Sequence, residues 1–308
     1  MQEQEHVMVA PSHPQRFPAR SAMLGEGMEI RRALPTARKR MIGAWCFLDH
    51  AGPVQLGPDD GMHVGAHPHI GLQTFTWMIE GEIIHRDSLG VEQTIRPGQV
   101  NLMTAGRGVA HTEDSAANGA RLHMAQLWIA LPDSQRHCEP AFENYPELPQ
   151  VATGGFLATV LAGTALGQTA PTRIYSPLVG VDLVAEAAAH ATLPLDPAFE
   201  YGLLVLRGEV TVQGEQLGTG ELLYFEPGRH ELQLQSHGAA QVLLVGGTPF
   251  EEDVLLWWNF VARTQEEIEQ ARADWINDSG RFGTVRPGST AGRLDIPSLD
   301  GARLRASR

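Results

Sequence analysis

The chain has 308 residues, long enough for two ordinary domains; with 33 glycines, 20 prolines and short apolar runs, it favours many strands and turns. Its formal net charge is −13, which repels phosphate backbones and anionic lipid and argues against direct nucleic-acid binding. No stretch approaches the roughly 20 apolar residues that span a bilayer, the polar N-terminus lacks the order of a secretory leader, and Cys46 and Cys138 form no C-x-x-C pair, so a cytoplasmic protein without a disulfide framework is expected.

In chain order, residues 1 to about 20 read as a flexible lead. From Met28 to Asp49, short strand-like pieces surround a basic cluster of Arg31, Arg32, Arg38, Lys39 and Arg40, read as a solvated turn or, more sharply, a docking patch. From Ala66 to Leu131 the pattern is strand-turn-strand. Strands are expected over 74–79, from Ile83, over 92–95, over 99–103 and over 122–130, with turns at Gly81, Gly90, Gly98 and Gly106 to Gly108. Short strands at this spacing suggest a closed antiparallel barrel.

Two histidine motifs lie in this stretch, His67-Pro68-His69 and His111-Thr112-Glu113. Residues two apart on a strand share a face. Two such strands facing each other inside a barrel would present three imidazoles and one carboxylate to one point, a set suited to a divalent transition metal. Pro68 cannot donate a ladder hydrogen bond, which places it at an edge or irregular position. Structural zinc usually recruits cysteine, and none is near in sequence.

The second half repeats the plan. Leu203 to Val212 parallels Trp77 to Ile84, Thr219 to Phe225 parallels Pro97 to Met103, and the second copy has a shorter hairpin. Laid together, the copies set Pro194 and Asp196 opposite His67 and His69, and Glu231 and Gln233 opposite His111 and Glu113. A second barrel without the ligand set is expected. A helix follows, opened by the capping box Thr264 and Glu267 and carrying Ile268, Ala271, Trp275 and Ile276 as one apolar stripe. The expected domains are 20–150, 151–285 and a loosely held tail over 286–308.

The stretches His67 to Leu72, Glu80 to Gly90, Ile95 to Gly98 and Met103 to Gly108 leading to His111-x-Glu113 resemble the pirin family of bicupins. Weaker echoes are Arg32 to Pro35, Phe47 to His50, Gln126 to Trp128 and Trp257 to Phe260. The resemblance implies an all-β fold of two face-to-face cupin barrels with a C-terminal helix. It also implies a mononuclear iron(II) in the first barrel, held by His67, His69, His111 and Glu113. The donor set itself also accepts nickel, manganese, cobalt, copper and zinc. Many relatives carry an asparagine where this chain has Ala130, a change expected in the pocket wall.

Around the ligands, Gln126 and Trp128 share a strand face and are candidates to line the pocket, and His63 is a candidate substrate contact. His85 and Asp87 are candidates to orient the ligands from the adjacent hairpin; His123 reads as a core residue. The resemblance implies two functions. One is a quercetin 2,3-dioxygenase-like enzyme acting on a flavonol or similar phenolic with O2, with Glu113 as both ligand and general base. The other is a non-enzymatic, iron-dependent redox sensor that binds transcription factors or metabolic enzymes. The fused barrels make a monomer plausible.

Overall fold

The computed structural model describes residues 13–24, 28–299, 301 and 303–306. A short β1 (Gln15–Pro18) precedes the first barrel. That barrel comprises β2 (Arg20–Leu24), β3 (Met28–Leu34), β4 (Trp45–Gln55), β5 (His63–His69), β6 (Leu72–Glu80), β7 (Ile83–Asp87), β8 (Glu92–Ile95), β9 (Val100–Thr104), β10 (Val109–Ser115), β11 (Arg121–Ala130) and β12 (Ala141–Tyr145). The second comprises β13 (Gln150–Thr153), β14 (Phe156–Ala162), the small pair β15 (Thr164–Ala165) and β16 (Gln168–Thr169), β17 (Leu178–Ala185), β18 (Ala189–Pro194), β19 (Glu200–Arg207), β20 (Glu209–Val212), β21 (Glu215–Gly218), β22 (Glu221–Phe225), β23 (Glu231–Ser236) and β24 (Ala240–Gly247). A hairpin of β25 (Leu255–Trp257) and β26 (Phe260–Ala262) leads into helix α1 (Gln265–Ile276).

The duplication is visible in the sheets. The first barrel has a seven-stranded sheet ordered β12-β9-β6-β11-β4-β3-β2 and a four-stranded sheet ordered β5-β10-β7-β8. The second has β1-β22-β19-β24-β17-β14-β13 and β18-β23-β20-β21, the same order copy for copy. In this scheme β1 and β12 are equivalents, and each joins the barrel of the other copy. The first described strand thus pairs with β22, in register from Gln15↔Tyr224 to Pro18↔Glu221. The expected flexible lead is therefore ordered from residue 13; residues 1–12 lie outside the described residues.

The two large sheets face each other across the main apolar core, where Trp45, Phe75, Trp77 and Leu127 of one meet Leu204, Leu222, Leu243 and Val245 of the other. These are β-branched, aromatic or leucine side chains at alternate strand positions, the pattern a sheet face needs in order to bury. Several buried polar groups in the interface are paired. The Trp45 indole donates to the carbonyls of Val179 at 3.1 Å and Gly246 at 3.2 Å. The Glu200 carboxylate accepts from Gly43 N at 2.6 Å, Tyr224 at 2.7 Å and Lys39 at 2.5 Å.

That last contact corrects the reading of the basic cluster as one solvated turn or patch. Arg31 and Arg32 lie on β3, and alternation sends them to opposite faces. Arg31 donates to Gly52 O, Arg32 pairs with Asp49, Arg38 covers Phe17, and Lys39 ties the barrels together.

Helix α1 has Thr264 as its N-cap, accepting from Glu267 N, and buries Ile268, Ala271 and Trp275. Ile276 does not share that stripe: one residue past Trp275 it turns about 100° away and is 50% exposed. The segment expected as a loose tail is laid along β5 instead. Leu294 N donates to Ala66 O, the Trp275 indole donates to Leu294 O, Ser289 donates to Asp114, and the Arg293 guanidinium lies 3.6 Å from the Trp275 ring centroid. A chain poor in apolar residues is held here by backbone and cation–π contacts that composition does not reveal.

The strand register also corrects the alignment of the two copies. Ile83 pairs with Ser115, and its equivalent Val210 pairs with Ser236. Stepping back along β23 from Ser236 sets Leu234 at the place of Glu113 and Leu232 at that of His111. Across the sheet His67 pairs with His111, and Leu193 with Leu232. Leu193 and Leu195 therefore hold the places of His67 and His69. The sequence alignment was one residue out, and a one-residue slip exchanges the two faces of a strand.

Candidate metal centre

β5 is the edge strand of the four-stranded sheet. Pro68 lies opposite Ala110, whose N–H and C=O both turn to Ser88 on the far side, so no ladder bond is asked of the proline. His67 lies directly across from His111, and Val109 across from His69. Ring nitrogens of His67, His69 and His111 all fall within 4.8 Å of one another, with the Nε2 atoms of His69 and His111 3.1 Å apart. Glu113 does not join that group. It lies instead within the same distance of His111 and His85.

Two of the rings are held from behind. His67 Nδ1 is 2.8 Å from Gly65 O, and His69 Nδ1 is 3.0 Å from Asn259 O in the β25–β26 turn. A ring that donates through Nδ1 keeps its Nε2 lone pair for a metal. His111 has His85 Nδ1 at 3.2 Å from its own Nδ1, and His85 Nε2 lies 3.2 Å from Asp87. Asp87 is fixed in turn by the N–H groups of Leu89 and Val91. The two hairpin residues thus form a relay against His111, with Phe142 stacked on the His85 ring.

Burial sets the protonation. It lowers the His67 pKa to about 4 and holds those of His69 and His111 well below the usual value, where neighbouring imidazoles add to the effect. Neutral imidazole is the form that ligates. Burial, with Asp114 beside it, raises Glu113 to about 7. The donor set suits a divalent transition metal: three neutral, buried, oriented imidazoles, with the Glu113 carboxylate beside His111 and His85.

The cluster floors a cavity of about 380 Å³. Gln126 and Trp128 line it, and Trp128 meets His69 edge-on at 5.2 Å. The amide oxygen of Gln126 accepts from Thr76 at 2.8 Å, which leaves its NH2 for the cavity. His63 is not in the lining. The β5–β10 register shifts between His111 and Glu113, so Val64 stands across from Glu113, and His63 turns to Asp114 at 2.8 Å. Ala130 is also absent from the wall; it packs in a core cluster with Leu72 and Met103. His123 is buried outside the cavity, its Nε2 2.8 Å from that of His50.

A family model described as Pirin matches residues 27–129, and one described as the Pirin C-terminal cupin domain matches residues 180–283. A Pseudomonas aeruginosa protein named "Putative quercetin 2,3-dioxygenase" is 52% identical, over 95% of this chain and 89% of its own length. The chain belongs to the pirin family. A "Pirin-like protein" of Caulobacter vibrioides is 37% identical over 92% of this chain and 95% of its own. The crystal structure of a quercetin 2,3-dioxygenase from Acinetobacter baumannii superposes with a TM-score of 0.93 at 51% identity, covering 96% of this chain and 98% of that one. The all-β bicupin fold of pirins is thus established here.

The pirin cavity also contains residues that sequence reasoning missed. Phe47 stacks on Trp128 at 4.0 Å, and Asp49 stands across from Gln126. Both follow from the alternation that singled out Gln126 and Trp128, applied to the partner strand β4. Arg20, Arg32, Trp258 and Leu294 complete the wall from distant segments. Asn259 acts through its backbone carbonyl, which no side-chain pattern announces.

Proposed function

We propose that this pirin-family chain is a dioxygenase of quercetin-like flavonols and related phenolics, with mononuclear iron(II) held by His67, His69, His111 and Glu113. The observation that carries the reading is the cluster of buried, neutral imidazoles at the floor of an aromatic-walled cavity open to a small molecule. When bound, the metal supplies Lewis acidity towards the substrate hydroxyl and the redox access to O2.

The chain's own residues supply the remainder. His85 and Asp87 hold the His111 ring in position. Trp128, backed by Phe47, offers a flat face for an aromatic ring and fixes its plane. Gln126 donates to a substrate oxygen from the side wall. Glu113, buried beside the imidazoles, serves as a ligand through one carboxylate oxygen and accepts the proton of the substrate hydroxyl through the other as general base.

The test is oxygen uptake with quercetin by the iron(II)-loaded protein, beside a His67→Ala variant, free iron, and protein loaded with nickel, manganese, cobalt, copper or zinc. Metal content is measured on every sample. Uptake that needs both iron and His67 is expected. No uptake with iron fully bound would overturn the reading.

A further inference from the structure

The end of the cavity away from the imidazoles is built by β2 and β3, where Arg20 and Arg32 are cross-strand partners in register. Two guanidinium groups directly opposite each other on one face repel. One is already satisfied. Arg32 forms a fork with Asp49, Nε to Oδ1 at 2.8 Å and Nη2 to Oδ2 at 2.7 Å, and its guanidinium carbon covers the Phe47 ring at 4.5 Å. Bidentate pairing of this kind uses both carboxylate oxygens. Arg20 is exposed, forms no ion pair with any described residue, and acts on the same Asp49 only at longer range; among the described lining residues Asp49 is the carboxylate nearest the pair.

Among the described residues lining the mouth, two guanidinium groups thus share one carboxylate, a net positive spot on a chain whose net charge is −13. Such a local reversal of sign attracts an anion to one spot and not to the surface at large. One wall between that charge and the imidazoles is a column of contacts: Arg32 over Phe47, Phe47 stacked on Trp128, and Trp128 against His69. Arg20 and the imidazoles line the same cavity of about 380 Å³, so a hydroxylated aromatic that enters it meets a guanidinium on one side and the imidazole cluster on another.

We infer that Arg20 is a specificity-determining residue and that the substrate class is a hydroxylated aromatic acid, its hydroxyl oxygens directed to the imidazole end and its carboxylate to Arg20. This deepens the dioxygenase reading and rests on it for the role of the imidazole end; the Arg20 contact itself is a matter of binding.

The probes are 3,4-dihydroxybenzoate and its neutral isostere 3,4-dihydroxybenzamide. Binding to zinc-loaded protein, where no turnover occurs, is followed by calorimetry and by quenching of tryptophan fluorescence, with quercetin as a third ligand. The wild type is expected to prefer the acid over the amide by about two- to fivefold, the upper part of the range for one exposed ion pair. Arg20→Gln should abolish that preference and leave amide affinity and thermal stability unchanged, and Arg20→Lys should restore part of it. Equal binding of acid and amide, or a preference that survives Arg20→Gln, overturns the inference. Quercetin binding without binding of either probe overturns it too and leaves the flavonol reading standing. An Arg20-dependent preference with no oxygen uptake on any phenol leaves Arg20 in place and removes the dioxygenase reading.

Discussion

Glu113→Gln separates holding a metal from moving a proton. The substitution conserves volume and removes both the charge and the base. Ring nitrogens of His67, His69 and His111 already converge within 4.8 Å without Glu113, so the variant is expected to keep a three-imidazole site for the metal. The carboxyl is buried with Asp114 beside it, and burial raises its affinity for a proton above that of an exposed carboxylate. Loss of a general base costs about 10²- to 10⁴-fold in rate, or about 3–5 kcal/mol in barrier. The quantity to measure is turnover of quercetin per bound iron, with iron counted on each sample, so that weaker metal binding cannot pass for slower chemistry. The expected result is near-complete iron loading at saturating metal and turnover per iron reduced at least a hundredfold. Turnover per iron equal to that of the wild type would refute the base assignment and leave Glu113 as a ligand alone.

Two further outcomes test the electrostatics and the closure of the fold. Asp182 on β17 is 2% exposed, with Gln241 Nε2 donating at 3.0 Å to each oxygen, and burial raises its pKa from 3.8 to about 7. The folded state then binds the proton more tightly than the unfolded state, so this stabilisation is fully present below 3.8 and lost as pH rises through about 7. Asparagine does not titrate; the stability of Asp182→Asn relative to wild type should rise by about 3 kcal/mol between roughly pH 4.5 and pH 8, read from urea unfolding at each pH, and a pH-independent difference would contradict the assignment. At Gly65, a Cβ would lie 1.7 Å from Gly292 O. Gly65→Ala should therefore lift the segment that carries Leu294 and speed tryptic cleavage at Arg286 and Arg293, at a stability cost of about 1–3 kcal/mol; an unchanged cleavage rate would show that the segment does not depend on this close approach.

The strands around the site were legible because they alternate. The reading of 92–95 coincides with β8, and 74–79 and 122–130 fall inside β6 and β11. Paired spacing brought three imidazoles together, since both members of each motif stand on one strand face. What alternation could not reveal was a change of register: the irregularity between His111 and Glu113 takes His63 off the cavity and puts Val64 there. Nor could it reveal partners joined only by the backbone, such as Asn259 behind His69 or Leu294 along Ala66. The basic cluster misled for a related reason. Neighbours in sequence were read as neighbours in space, whereas β3 sends Arg31 and Arg32 to opposite faces.

The second barrel explains why the first needs its outer wrapping. In the copy, β23 alternates buried and exposed residues, as a sheet with one solvated face does. In the first barrel every residue of β10 is buried. Its inner face carries His111 and Glu113, while its outer face at Ala110 is covered by Phe260, Ile268 and Trp275 from the β25–β26 hairpin and α1. Buried leucines at positions 193, 232 and 234, with the partly buried Leu195, can hold the copied sheet together by apolar burial alone. Imidazoles at the same places cannot; they must be kept neutral, oriented by carbonyls and shielded from water. The hairpin provides the Asn259 carbonyl for His69, and the terminal segment closes over β5. The additions that lie beyond the duplicated unit are thus the ones that make an ordinary barrel sheet able to carry polar ligands on its inner face.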